Sequence, residues 1–176
     1  VLALTAGFSE TQAEELLNAA PMHDVGKIGV ADAVLRKPGK LDPDEWAAMQ
    51  AHAEMGARII GEHASGLLHT AHQIALTHHE KWDGSGYPRG LSGGDIPIEG
   101  RIVAIADVFD ALTSERPYKR AWTVDEAVDL LHREAGRHFD PELVELFIAE
   151  LPRLLAIKAR WEESPVAADD RVTPQD

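Results

Sequence analysis

Apolar residues along this chain recur at helical rather than strand spacing. They fall at Trp46, Met49, Ala53, Gly56, Ile59 and Ile60, then at Leu67, Leu68, Ala71, Ile74 and Ala75. A third series runs through Ile98, Ile102, Ile105, Phe109 and Leu112. Start signals precede such stretches. Ser9 with Gln12 forms a capping box before residues 13–20, and Thr123 with Glu126 forms another before 127–131. Asp42-Pro43 with Glu45 starts a helix over 46–60, and Asp140-Pro141 starts one over 143–151. Strand-like alternation is almost absent, and 28–35 is too short to build a sheet. The pattern predicts an all-α bundle of about six or seven helices.

Two segments break the helical pattern. Residues 25–40 carry Gly26, Gly29, Pro38 and Gly39. Residues 83–100 carry Gly84, Gly86, Pro88, Gly90, Gly93, Gly94, Pro97 and Gly100, a long glycine-rich loop between two helices, the kind of segment that carries function. The polar tail after Trp161, with Pro165 and Pro174, is expected to fray.

Composition narrows the chemistry. The 176 residues, 44% of them apolar, suit one domain with its own core. There are no cysteines, which excludes disulfides, thiolate metal sites and cysteine nucleophiles. No apolar run has the length of a membrane span, and a cytoplasmic setting is the plain reading. Lys and Arg total 17 against 30 Asp and Glu, a net charge of −13 that argues against DNA binding. A phosphate substrate would need a local counter-charge from metal ions or a few basic residues.

Nine histidines are the oddity of the composition. His52 shares the stripe of Met49, Gly56 and Ile59, and His78 continues that of Leu67, Ala71 and Ile74. His23-Asp24 closes the first complete helix, and His79 stands just before the glycine loop. Asp107 and Asp110 lie three apart on one helix face. Asp107 sits among Ile, Val and Ala, where an unpaired carboxylate is costly and a cation beside it is the better explanation. Four histidines and two aspartates thus project from four helices, a donor set suited to Fe, Mn, Zn or Ni. Two ions sharing a carboxylate would use six such ligands well, and a bridging hydroxide could attack phosphorus in line. A lone inward histidine is more often a hydrogen-bonded core residue, so the joint pattern carries the weight. His63, His69, His72 and His132 read as surface or helix-end residues, and His138 as part of a capping turn.

The joint pattern resembles a known family. His23-Asp24-Val25-Gly26-Lys27, His52, His78-His79-Glu80, Asp83-Gly84-Ser85-Gly86-Tyr87-Pro88, the stretch from Ala106 through Asp107 and Asp110 to Thr113, and Arg116-Pro117-Tyr118-Lys119 occur in order. They are similar to the HDxGK, HHE, DGxGYP and DxxDALTxxRPYK elements of the HD-GYP domain, a bacterial branch of the HD phosphohydrolases. The resemblance covers residues 1–155. It implies a metal-dependent phosphodiesterase that opens a cyclic dinucleotide, cyclic di-GMP first, to pGpG or GMP through a hydroxide bridging two metal ions. The alternatives are an HD phosphohydrolase for another nucleotide and a non-catalytic docking module.

Site roles follow from the same resemblance. His23, Asp24 and Asp107 would hold the first ion, with Asp24 as the bridge, and His52, His78 and His79 the second. Iron or manganese is implied, with other divalent metals as alternatives. Asp24 and Lys27 would be catalytic, Lys27 steadying the phosphate or leaving group. Gly84, Gly86 and Tyr87 would shape the substrate cradle. Asp110 would assist there or orient the ligands, and Arg116 and Lys119 would meet substrate phosphates. Implied partners are an upstream sensory or receiver domain, a diguanylate cyclase and a second copy in a homodimer.

The family carries a further upstream His, often with a Glu, whereas residues 1–22 contain no His. That ligand would fall before Val1. The chain is therefore expected to be a truncated domain over 1–155 with an incomplete first helix, the alternative being a degenerate one that lacks the ligand, followed by a partly disordered extension over 156–176. Packing on Leu16 and Leu17 would lose a partner, and such a chain would be less stable than a longer one.

Overall fold

A computed structural model describes residues 1–115 and 120–162. The helices are α1 (Leu2–Thr5), α2 (Glu10–Ala19), α3 (Asp32–Leu35), α4 (Pro43–Gln50), α5 (His52–Ile60), α6 (Gly66–Thr77), α7 (Ile98–Thr113), α8 (Val124–Glu134), α9 (Pro141–Ala149) and α10 (Leu151–Glu162). Tighter 3-10 turns cover Ala20–Met22, Val25–Gly29 and Gly93–Asp95. No strand occurs among the described residues; a lone bridge joins Ala135 to Phe139. With α4 and α5 taken as one bent rod, the long helices among the described residues are α2, α4–α5, α6, α7, α8, α9 and α10; the sequence pattern predicts all of these except α10.

Local chemistry sets the starts. Ser9, Asp42 and Thr123 each accept from the N3 backbone N–H and are bonded back by Gln12, Glu45 and Glu126. Asp140 accepts from the N–H groups of Glu142 and Leu143. The expected single helix over 46–60 is interrupted at Ala51. His52 Nδ1 donates to the Met49 carbonyl at 2.6 Å, taking the acceptor that the next helical turn would use. The same bond aims the other ring nitrogen inward.

Helix α6 is the centre of the bundle, packed against α2, α5 and α7. Its Ala71, Ile74 and Ala75 are fully buried, and Ala71 and Ile74 share a core with Leu16, Ile102, Ile105, Phe109, Leu131, Val144 and Phe147. Leu67 and Leu68, in the first turn at the edge of the bundle, are exposed, as is Leu17. Helical spacing identified their face but not their depth.

Small residues bring the site-bearing segments together. A β-carbon on Gly26 would stand 1.9 Å from the His52 carbonyl oxygen and 2.4 Å from the Gly56 nitrogen. One on Gly56 would lie 3.3 Å from Ala75 Cβ. The turn after Asp24 thus presses on α5, and α5 on α6. At the far end, a β-carbon on Gly100 would meet Thr77 Oγ1 at 2.2 Å, which seats α7 on the end of α6. Gly100 therefore belongs to α7 and not to the loop, because the helix starts directly after Pro97.

The expected division at 155/156 falls inside α10, which continues to Glu162. The remainder of the tail, 163–176, and the segment Arg116 to Lys119 lie outside the described residues.

Candidate metal centre

Asp24 sits between the first two 3-10 turns, so His23 and Asp24 follow α2 rather than lying on an α-helix. His52 opens α5, His78 caps the end of α6 and His79 follows it. Ligand atoms of Asp24, His52, His78 and His79 all lie within 4.8 Å of one another, a group that can hold a metal ion.

Backbone carbonyls fix the ring tautomers. Nδ1 of His23 donates to Ala20 O at 2.8 Å, that of His52 to Met49 O and that of His78 to Ile74 O at 3.0 Å. A carbonyl can only accept, so each Nδ1 carries its proton and, in the neutral ring, each Nε2 offers a lone pair. Those lone pairs converge. The Nε2 atoms of His52 and His78 are 3.4 Å apart, and they lie 3.4 and 3.8 Å from Asp24 Oδ1. Asp24 Oδ1 is buried and has no hydrogen-bond partner. Three acceptors facing one another with no donor is an arrangement that a cation satisfies, and these residues fit one.

The second carboxylate oxygen faces the other way. Asp24 Oδ2 accepts from Lys27 Nζ at 2.5 Å and lies 3.3 Å from His23 Nε2. His23 Nε2 is also 3.8 Å from Asp107 Oδ1. The contact between His23 and Asp24 needs either a proton on Nε2 or a cation between the two atoms. Asp107 is not the buried carboxylate its neighbours suggest: its side chain is 42% exposed. Ile105 and Phe109 turn into the core, whereas the helical period carries Asp107 round to the open face.

The local field follows from these contacts. Burial by itself would raise the Asp24 carboxyl, but hydrogen bonds from His23 and Lys27 outweigh it and hold the group well below the usual carboxylate range. The bond to Asp24 lifts His23 above its ordinary value despite partial burial. Burial, helped by His23, pushes His78 down to about 4; burial with His78 and His52 beside it pushes His79 down to about 2. Both rings are therefore neutral and ready to coordinate at ordinary pH.

The glycine loop closes over this group. Tyr87 stacks on His79 with centroids 4.7 Å apart, and its N–H donates to the His79 carbonyl. Burial, followed by the Asp24 charge, raises the Tyr87 phenol, which stays neutral. A β-carbon on Gly86 would stand 2.3 Å from Lys81 N, so only glycine allows this close fold of the loop. Gly84 has φ +81° and lies against Ser92. Asp110 points to α10, where Lys158 Nζ donates to its Oδ1 at 2.9 Å. Arg116 and Lys119 lie outside the described residues.

Two supports had no assigned role in the sequence. Glu80 is buried, and its two oxygens accept from the N–H groups of Arg89 (2.8 Å) and Leu91 (3.0 Å), pinning the loop behind Tyr87. Arg101 donates to Asp140 Oδ2 at 2.6 Å and to the Ile96 carbonyl at 2.9 Å, with its guanidinium 5.7 Å from the Trp82 ring centre. That links the end of the loop to the cap of α9. A charged residue directly after two clustered histidines was the available signal for Glu80; Arg101 had none.

Similarity to known proteins shows the family. A family model described as HD domain matches residues 1–143. The 3'3'-cGAMP-specific phosphodiesterase 2 of Vibrio cholerae is 52% identical over 158 residues, 90% of this chain and 30% of that protein. A cyclic di-GMP phosphodiesterase of Thermotoga maritima is 49% identical over 142 residues, 81% of this chain and 39% of that protein. The chain thus spans 30% and 39% of the length of these two relatives. A crystal structure of a cyclic GMP-AMP-specific phosphodiesterase of V. cholerae (V-cGAP3) matches with a TM-score of 0.65 at 22% identity, over 99% of this chain and 48% of that one, a likeness of fold. No helix among the described residues is long and apolar enough to cross a membrane. By the matched family model, and by the paired His-Asp and glycine-loop elements gathered around one carboxylate, the chain belongs to the HD domain family, in its HD-GYP branch.

Proposed function

We propose that this chain is the catalytic domain of a metal-dependent phosphodiesterase whose substrate is a cyclic dinucleotide, cyclic di-GMP or 3'3'-cGAMP. The observation that carries the reading is the buried, partnerless Asp24 Oδ1 among the lone pairs of His52 and His78. The names of the relatives supply the substrate class.

His52, His78, His79 and Asp24 Oδ1 would hold one divalent ion, and His23, Asp107 and Asp24 Oδ2 a second, so that Asp24 is shared. Iron or manganese suits this imidazole–carboxylate set. Such ions, when bound, supply Lewis acidity at the phosphodiester and a water acidified to near-neutral pKa. The chain's own residues do the rest. Lys27 holds Asp24 Oδ2 and places positive charge where a phosphate would enter. Tyr87, kept neutral, walls the site without adding charge, and Gly84 and Gly86 let the loop backbone come close to substrate. Arg116 and Lys119 are the proposed phosphate contacts. Asp110, already engaged by Lys158, lies on α7 with Asp107. An upstream sensory or receiver domain, a diguanylate cyclase partner and a homodimer are parts of this reading that rest on the family resemblance.

The test is hydrolysis of cyclic di-GMP and of 3'3'-cGAMP by this chain with Mn²⁺ or anaerobic Fe²⁺, followed by chromatography. Linear dinucleotide or mononucleotide that disappears with a chelator is the expected result. A metal-loaded chain that opens neither ring would defeat the proposal.

A further inference from the structure

Beside the centre stands a large aromatic residue with no assigned role. Trp46 on α4 is 49% exposed. Its ring meets that of Tyr87 edge to face, with centroids 6.3 Å apart and planes at 79°. Tyr87 in turn stacks on His79 at an interplanar angle of 27°. The three rings form a wall that leads outward from the carboxylate–imidazole group to solvent. Tyr87 supports Trp46 on one side, while half of the indole surface remains uncovered.

An indole left half in water beside a centre that would meet phosphate through its metal ions offers open apolar area next to the site. Purine faces suit such a surface: base–aromatic stacking is tolerant of base identity and strong for indole. A phosphate over the Asp24 group would leave its attached nucleoside facing outward along this wall. We infer that Trp46 is a stacking platform for one purine base of the substrate, a specificity-determining residue that favours dinucleotides over phosphodiesters without bases. The inference rests on the nucleotide reading of the metal centre given above.

The experiment compares the wild-type chain with Trp46→Phe and Trp46→Ala, using cyclic di-GMP and 3'3'-cGAMP. Binding is measured with Ca²⁺ in place of Mn²⁺, by tryptophan fluorescence and by equilibrium dialysis. Wild type should show saturable quenching. In Trp46→Phe the quenching should vanish while affinity stays within a few-fold. In Trp46→Ala affinity should weaken about tenfold, and with Mn²⁺ the loss should appear in KM more than in kcat. Unquenched wild type, or an alanine variant that binds as tightly as wild type, overturns the platform. So does loss of bound manganese in the alanine variant, which would make Trp46 a support of the centre. Dinucleotide that binds and quenches but is never hydrolysed with Mn²⁺ defeats the proposed function and leaves the platform standing.

Discussion

The His52 carbonyl oxygen lies 1.9 Å from where a β-carbon on Gly26 would stand. The backbone of the turn that carries Asp24 therefore touches the backbone that carries His52. Gly26→Ala must push the two apart, and neither partner is a side chain that can swing away. We expect a loss of about 1–3 kcal/mol or more, with weaker metal binding, read by thermal melting and bound manganese. Gly94→Ala, with nothing within 4 Å, is the control and should melt like wild type. A Gly26→Ala chain with full stability and metal would show that this contact does not set the site.

Asp24→Asn tests the proposed cation at the carboxylate that would be shared. Added Mn²⁺ should raise the melting point of the wild type, since a ligand at 100 times its Kd stabilises by about 2.7 kcal/mol. The asparagine variant should fold yet show little such shift. An undiminished manganese shift would remove Asp24 from the ligand set.

Glu80→Gln addresses the support behind Tyr87. The amide keeps one acceptor and turns an N–H₂ group towards a backbone donor. A buried unsatisfied group costs about 1–3 kcal/mol, and the loop should loosen. Hydrogen exchange at the Arg89 and Leu91 amides is the direct readout. Unchanged protection at both would mean that the loop is held by other contacts.

Arg101, partly buried, and Asp140, buried, form a pair 39 positions apart in the chain. Removing one partner leaves the other charge without its match, so Arg101→Met should lower stability by about 1–3 kcal/mol. The Arg101→Met, Asp140→Asn double variant should lose less than the sum of the two single changes. Strict additivity in denaturant titrations would argue against direct coupling.

Burial, then the nearby Lys81, lowers the His138 imidazole below its ordinary 6.5. For a lowered histidine, the stabilising contribution is complete above the unfolded value and is lost as pH falls beneath it. Stability should therefore drop on acidification below about pH 6.5, and His138→Gln should flatten part of that drop. Melting curves across this range in the presence of a chelator would check it; identical slopes in both chains would count against His138.

The helix starts were legible in the sequence because a cap needs only neighbours. Ser9, Asp42, Thr123 and Asp140 each act within three residues. The histidines, Asp24 and the glycine loop were legible as motifs, and the structure places His23, His52, His78, His79, Asp24 and Tyr87 side by side. Depth was not legible. Periodicity gives a face of a helix, but whether another element covers that face depends on distant chain. Leu67 and Trp46 proved exposed, and Asp107 proved open to the site.

The break at Ala51 is local, since His52 bonds the carbonyl three residues back, but no apolar count records it. Tertiary structure alone decided two further matters. The work of Glu80 depends on where the chain returns nine and eleven residues later. The opposed directions of the two Asp24 oxygens depend on α5 and α6 packing through Gly26, Gly56 and Ala75. Sequence therefore determined which groups this protein has that could hold a metal ion. Only close packing of backbone on backbone decided that they meet at one carboxylate.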